Sequence, residues 1–132
     1  NTIIISAEVE NQINQLKDDE KKNYMQMINL EETSLNTLIK KGYKLLELET
    51  FFTSGPEESR AWTIPKNCTA PKAAGIIHSD FQKGFIRSET ISYNDFVENE
   101  GWLNSKNNGK MRLEGKDYIV KDGDILNFRF NT

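Results

Sequence analysis

Residues 46–81 decide the fold of the larger part of the chain, and they read LELETFFTSGPEESRAWTIPKNCTAPKAAGIIHSDF. Side chains alternate with a period of two along residues 46–52, and again along residues 60–64. This is the period of a β-strand. The segment Ser54-Gly55-Pro56 between the two runs is a turn signal. The two runs therefore predict a β-hairpin.

The second half of this stretch predicts a helix. Thr69 takes the N-cap position, and Pro71 lies in the first turn, where its missing N–H costs nothing. We expect the helix to run to about Phe81 and to end at Gly84. Its core-facing side chains are Ala74, Ile77 and Phe81.

Residues 85–130 predict further strands around an irregular segment. A strand is expected over residues 85–93, followed by one or two short helical turns in residues 94–107. Residues 111–113 and 118–120 predict a small hairpin. The last strand, residues 125–130, places Leu126, Phe128 and Phe130 on one face. A helix packed across one face of a mixed sheet predicts an α+β domain of the β-grasp, ubiquitin-like type over residues 45–132.

Residues 1–44 predict a separate unit. Three consecutive isoleucines in residues 2–5 favour a strand that is buried on both faces. Ser6 is expected to cap a helix, and further helices are expected from Asp18 or Asp19 and from near Ser34. Because a single buried strand needs a partner, we expect its sheet to precede this segment.

Composition excludes several classes of protein. The chain has 132 residues, of which 36% are hydrophobic and 28% charged, as is usual for a globular domain in water. Consecutive apolar residues never exceed three, whereas a transmembrane helix needs about 20. A single cysteine, Cys68, excludes an internal disulfide, and with a single histidine, His78, it excludes a Cys/His zinc cage. We expect a cytoplasmic protein without a membrane partner.

The charge pattern argues against a dedicated nucleic-acid binder. The net charge is −3, and residues 65–132 hold ten Lys or Arg against nine Asp or Glu. A nucleic-acid-binding domain is usually strongly basic. Any RNA contact must therefore use a local basic patch, and no DNA contact is expected.

Catalytic motifs are missing. The nearest candidate for a phosphate loop, residues 107–111, lacks the upstream glycine and the hydroxyl residue of that motif. His78 lies near the end of a predicted helix, where a hydrogen bond to a neighbouring turn explains it better than catalysis. No pair of carboxylates can be singled out as an acid–base site. We therefore expect no enzymatic activity from this chain alone.

Two long segments resemble the signatures of one family. Residues 70–89, APKAAGIIHSDFQKGFIRSE, and residues 113–124, LEGKDYIVKDGD, followed by Phe128-Arg129-Phe130, are similar to segments of the Obg-like ATPase, or YchF-type, proteins. Residues 60–63, RAWT, fit as well. The resemblance implies that residues 45–132 form a TGS domain. It also implies an intact parent that binds and hydrolyses ATP or GTP with magnesium.

The same resemblance extends upstream. Ser6, Ala7 and Glu8 look like the loop of the family that lies against the nucleotide base, so residues 1–44 are expected to be the end of a P-loop G domain. The family's phosphate loop and metal ligands would precede Asn1. We therefore expect no cofactor in this chain.

Three functions are compatible with the sequence. The first is an adaptor for the ribosome, RNA or a partner protein. Its candidate contacts are Arg60, Lys66, Lys72, Lys83, Arg87, Lys110, Arg112 and Lys116. The second is a structural module that packs on its own G domain, with Glu47, Glu49, Asn127 and Arg129 on the open sheet face and Glu–Arg pairs between adjacent strands. The third is a sensor of a small regulatory nucleotide. Trp62 and Trp102 could stack on bases, although packing in the sheet and on a surface helix explains them better.

Overall fold

The computed structural model describes residues 2–131, and the chain divides into two units, residues 1–46 and residues 47–132. Each unit is described by itself. None of the helices in residues 2–131 is long and apolar enough to cross a membrane.

The first unit consists of three helices: α1 (Ala7–Gln15), α2 (Asp18–Met27) and α3 (Ser34–Leu45). Ser6 caps α1 as predicted, because its Oγ accepts the N–H of Val9 at 3.4 Å. The carboxylate of Glu10 accepts the N–H of Ser34 at 2.7 Å, so a side chain of α1 satisfies a free donor at the start of α3.

The predicted buried strand at residues 2–5 is wrong. These residues form no strand within the described part of the chain, and Ile4 is 93% exposed. A run of isoleucines adopts a strand only where a neighbouring strand pairs with its backbone, and the described residues supply none here.

The second unit is a five-stranded mixed sheet with helices on both faces. Its strands are β1 (Leu48–Ser54), β2 (Ser59–Pro65), β3 (Phe85–Ser92), β4 (Arg112–Glu114) and β5 (Asp124–Phe130). They lie in the order β2-β1-β5-β3-β4. The β1–β5 pair is parallel, and the other pairs are antiparallel. The helices are α4 (Ala70–Ile77), α5 (Ser79–Lys83), α6 (Tyr93–Glu98) and α7 (Trp102–Asn107).

The hydrophobic core lies between the sheet and α4. Phe51 is fully buried, stacks on Trp62 and meets Phe128 edge-on, with ring centroids 6.4 and 5.9 Å away. Ala73 and Ala74 are also fully buried, because only small side chains let α4 approach the sheet closely. The predicted hairpin and the core face of the last strand are confirmed.

The predicted helix over residues 69–81 is broken at His78, whose backbone is extended (φ −157°, ψ 140°). The Nδ1 atom of His78 accepts the N–H of Asp80 at 3.2 Å and so begins a new helix, α5. The change of direction brings Phe81 onto Phe130, with ring centroids 3.9 Å apart. The break therefore closes one end of the core.

The predicted hairpin of residues 111–113 with 118–120 is also wrong. β4 pairs instead with β3, with Arg112 opposite Thr90. The N–H of Val120 donates to the carbonyl of Cys68 at 2.9 Å, and the N–H of Ala70 donates to the carbonyl of Tyr118 at 2.8 Å. Both runs thus find backbone partners that are distant in sequence.

Candidate binding site

A groove of about 610 Å³ lies on the sheet face opposite α4. Its floor is formed by Glu89 of β3 and by Asn127 and Arg129 of β5. One wall is the end of β1 and the turn that follows it, residues 54–56. The other wall carries Phe96, Gly101, Trp102, Leu103, Lys106 and Met111.

The floor follows from the alternation of side chains along β5. Leu126 and Phe128 point into the core, so Asn127 and Arg129 must lie on the opposite face. Asn127 stands directly opposite Glu89 in the register of the sheet. Three polar side chains from two strands therefore meet on one surface.

Hydrogen bonds tie the floor together. Arg129 donates to the Glu89 carboxylate from Nε at 3.2 Å and from Nη2 at 3.1 Å. Asn127 donates to the same carboxylate at 2.9 Å. Because the Arg129 side chain is 54% exposed, this ion pair contributes at most about 1 kcal/mol to stability. Its main effect is to hold the guanidinium in place, with three of its five N–H groups unused by these bonds.

Trp102 links the two walls of the groove. Its indole N–H donates to the carbonyl of Ser54 at 2.8 Å. Its ring meets Phe96 edge-on, with centroids 5.8 Å apart. The neighbouring Leu103 is 71% exposed and leaves an apolar surface open to solvent. The bond between Trp102 and Ser54 thus fixes the width of the groove.

The wall helices are held by Asp95. The Asp95 carboxylate accepts the hydroxyl of Ser92 at 2.6 Å and lies 3.0 Å from Nζ of Lys110. These two contacts, with the Ser92 hydrogen bond the stronger influence, lower the pKa of Asp95 and keep it ionised. The carbonyl of Asp95 also accepts the side-chain amide of Asn99 at 2.7 Å.

The eight predicted basic contacts do not gather in this groove, and none of them lines it. Arg87 stands directly opposite Arg129, a floor residue, in the β3–β5 register. Lys83 lies 3.7 Å from Asp80, and Lys110 is bound to Asp95. The Arg60 guanidinium lies 4.2 Å from the centre of the Trp62 ring. The remaining lysines, Lys66, Lys72 and Lys116, are exposed.

Arg112 belongs to an internal network. It donates to Glu114 at 3.0 Å and to the hydroxyl of Tyr118 at 3.1 Å, and that hydroxyl donates to Asp124 at 2.6 Å. Asp124 is only 3% exposed, so its charge requires these partners. Burial, followed by the bond to Asp124, raises the pKa of Tyr118 to about 12. The network anchors the loop before β5.

The prediction for the open sheet face is right for Asn127 and Arg129 but wrong for Glu49. Glu49 pairs with Ile64 and shares the core-side face of the hairpin. Glu47 precedes β1 and lies outside the sheet. The expected Glu–Arg pair between adjacent strands exists, although its acid is Glu89. Trp62 packs against the core, as expected.

Ser6, Ala7 and Glu8 lie in the first unit and are exposed. The hydroxyl of Ser6 accepts the N–H of Val9, while Ala7 and Glu8 begin α1. The groove residues that the sequence did not single out are Glu89, Phe96, Gly101, Leu103, Lys106 and Met111. The alternation of β3 could have placed Glu89, but no local pattern predicts that α6 and α7 stand over the open face.

The family model YchF-GTPase_C, described as a protein of unknown function (DUF933), matches residues 48–131. The chain belongs to this family. The match begins at the first residue of β1 and ends one residue after β5, so it includes every residue of the groove.

Curated relatives agree with the YchF-GTPase_C assignment. The chain is 58% identical over 128 residues to the "Ribosome-binding ATPase YchF" of Escherichia coli O157:H7. The aligned region covers 97% of the chain and 35% of the relative. The chain is 48% identical over 130 residues to the protein of that name from Bacillus subtilis strain 168, covering 98% and 36%. The chain thus spans about a third of the length of these relatives.

Two solved structures are similar to the chain in fold. The Schizosaccharomyces pombe YchF GTPase matches with a TM-score of 0.81 at 33% identity, covering 95% of this chain and 33% of that one. A GTP-binding protein from Pyrococcus horikoshii OT3 matches with a TM-score of 0.54 at 20% identity, covering 80% and 27%, and shows the fold alone.

Proposed function

We propose that this chain is the adaptor region of a YchF-type ribosome-binding ATPase, and that residues 47–132 make the contact through the groove on the open sheet face. The single observation that carries the proposal is the groove itself. It combines an oriented guanidinium on Arg129 with the exposed apolar surface of Leu103, next to a wall that Trp102 holds in place. The names of the relatives supply the ribosome as the partner.

The fold agrees with a TGS domain of the β-grasp type. An opening hairpin is followed by a helix across one face, and the last strand lies parallel to the first in the centre of the sheet. We propose residues 45–132 as this domain and residues 1–44 as the end of the G domain of the intact protein, which would be cytoplasmic. Ser6, Ala7 and Glu8 would belong to the base side of its nucleotide site.

Catalysis is proposed for the intact protein and not for this chain. Within residues 2–131 no group of His, Cys, Asp and Glu side chains is arranged to hold a metal ion. The carboxylate of Glu89 is engaged by Arg129 and Asn127. We propose ATP or GTP with magnesium as the ligand of the intact ATPase.

Among the eight basic residues predicted from the sequence, we propose Arg87 as part of the contact. Its position opposite Arg129 adds a second guanidinium beside the groove. The other seven residues remain predicted contacts, and no shared surface supports them as a group: Arg60, Lys66, Lys72, Lys83, Lys110, Arg112 and Lys116.

Cosedimentation of the chain with ribosomes tests the proposal. We expect saturable binding at low salt and a loss of about fivefold in affinity for Leu103→Ser, because truncating an apolar contact at the centre of an interface typically costs more than 1 kcal/mol. The matched control is Ile76→Ser, which removes an exposed side chain from α4 on the other face. The adaptor function is refuted if binding is not saturable.

One observation favours a structural module as the second candidate. The Glu89–Arg129 pair explains the charges on the open face without any external partner. In that case Leu103→Ser and Ile76→Ser would leave ribosome binding of the intact ATPase equally unchanged.

A further inference from the structure

We propose that the occupant of the groove is an extended protein segment that carries a carboxylate next to an apolar side chain. This inference rests on the proposed adaptor function and names the chemical class of the partner. It follows from the charges, the apolar wall and the unused hydrogen-bonding groups of the groove.

The groove has an excess of positive charge. Its charged lining residues are Glu89, Lys106 and Arg129. Three hydrogen bonds from Arg129 and Asn127 compensate the Glu89 carboxylate. Lys106 has no ion-pair partner among residues 2–131. The same holds for Arg87, which lies opposite Arg129 in the sheet. A ligand carboxylate can therefore bind the outer N–H groups of Arg129, with Lys106 in the same groove and Arg87 beside Arg129 as further cations.

The apolar wall lies beside these cations. Phe96, Trp102, Leu103 and Met111 line one side of the groove, and Pro56 lies on the other. An apolar side chain placed here leaves water and contacts aromatic and aliphatic surface on both sides. Since the wall and the guanidinium border the same groove, neighbouring residues of one extended segment can reach both.

The polar groups of the floor suit a peptide backbone. Asn127 lines the groove, and its Nδ2 group donates to Glu89, a bond that leaves its Oδ1 as an acceptor. A peptide backbone supplies an N–H donor at almost every residue, whereas the phosphate groups of RNA offer only acceptors and its donors are confined to the 2′-hydroxyls and the bases. Asn127 thus suits a polypeptide, and the charge of the unit decides against RNA.

The wider charge pattern also favours a protein segment over RNA. Residues 47–132 hold eleven Lys or Arg against thirteen Asp or Glu, so the unit is acidic as a whole. Glu57 and Glu58 follow Pro56 in the turn that forms one wall. A polyanion leaving the groove across this turn would meet both carboxylates, whereas a single carboxylate would not.

The test uses the full 132-residue chain and three probes. The first is an acetylated, amidated hexapeptide that carries one glutamate next to one leucine, with serine at the other four positions. The second is the same peptide with glutamine in place of glutamate, and the third is a six-nucleotide oligouridylate. Binding is followed by amide chemical shifts and by fluorescence titration. We expect the glutamate peptide to shift the amides of the floor and of α7, and the other two probes to bind more weakly.

Charge-neutralising variants locate the carboxylate. Arg87→Gln and Lys106→Gln should each weaken the glutamate peptide by about two- to fivefold, the range for an exposed charge pair. Lys72→Gln neutralises an exposed lysine on α4 and should leave the affinity unchanged. Oligouridylate binding in the groove in preference to the peptide overturns the proposal, as do unchanged groove amides or equal affinities across the three variants.

The two proposals can fail separately. If the chain cosediments with ribosomes but the glutamate peptide does not compete, the adaptor function stands and the peptide proposal fails. If the peptide binds the groove but ribosomes are not bound, the adaptor function fails.

Discussion

Gly84→Ala should destabilise the second unit strongly, because the chain passes too close at this point for any side chain. A Cβ atom on Gly84 would lie 1.8 Å from the carbonyl oxygen of Asn131. That oxygen belongs to the backbone, so the segment after β5 must move. The movement breaks the 2.9 Å hydrogen bond from the N–H of Asn131 to the carbonyl of Gly84. It also disturbs the packing of Phe130 on Phe81.

The expected loss can be estimated from these parts. The hydrogen bond contributes about 1 kcal/mol, and overpacking at the contact costs about 1–3 kcal/mol. We therefore expect the free energy of unfolding to fall by about 2–4 kcal/mol. This is a large share of the about 5–15 kcal/mol of a typical domain.

Urea unfolding followed by circular dichroism measures the effect of Gly84→Ala. Amide exchange at Asn131 should accelerate in the same variant. Gly115→Ala is the matched control in the same unit, because nothing lies within 4 Å of its Cβ position. The control should change stability by less than about 1 kcal/mol. If Gly84→Ala costs less than 1 kcal/mol and Asn131 exchanges at its normal rate, the close approach does not limit the fold.

Three further predictions concern the groove and its supports. Trp102→Phe and Trp62→Phe each remove one indole hydrogen bond and should each cost about 1–2 kcal/mol in urea unfolding. Only Trp102→Phe should also weaken ribosome binding, and equal binding losses would contradict the role of the groove. The pKa of Tyr118 is raised to about 12 in the folded state. The unfolded chain therefore loses its proton first, and stability should fall between pH about 10 and about 12. The fall should shrink in Tyr118→Phe, as measured by unfolding at each pH, and an identical pH profile would refute this origin. The pKa of Asp95 is lowered in the folded state, so its stabilising contribution is present above its unfolded pKa and is lost as the pH falls through the folded value. Asp95→Asn should abolish that dependence and speed amide exchange in α6 and α7, whereas unaltered exchange would show that the bond to Lys110 is dispensable.

The parts of the fold that could be predicted depend on residues close in sequence. The hairpin of β1 and β2 follows from two alternating runs and a turn signal. The start of α1 follows from the hydroxyl of Ser6, and the core face of β5 follows from strict alternation. Each of these sequence patterns lies within a few neighbouring residues. Tertiary contacts therefore stabilise the structure that the pattern predicts and do not change it.

The parts that were wrong depend on distant partners. The local bond from the N–H of Asp80 to His78 begins α5, but it does not by itself predict a break, which the packing of Phe81 on the distant Phe130 stabilises. Likewise β4 could pair with several edges, and the choice of β3 is made by the whole sheet.

The groove has one part that depends on local sequence and one part that depends on distant partners. Its floor could be predicted from the alternation that places Asn127 and Arg129 away from the core. Its wall could not, because α6 and α7 are six residues each and too short for a clear hydrophobic period. Their position is set by Asp95, which binds Ser92 and Lys110 on either side of the two helices.

The parallel pairing of β1 with β5 has a mechanical consequence. The first and last strands of the unit lie side by side in the centre of the sheet and run in the same direction. A force applied to the start of β1 and the end of β5 therefore acts along the strands and loads their hydrogen bonds together in shear. Bonds at the end of a hairpin would instead open one at a time. The unit would in this way resist extension between the start of β1 and the end of β5.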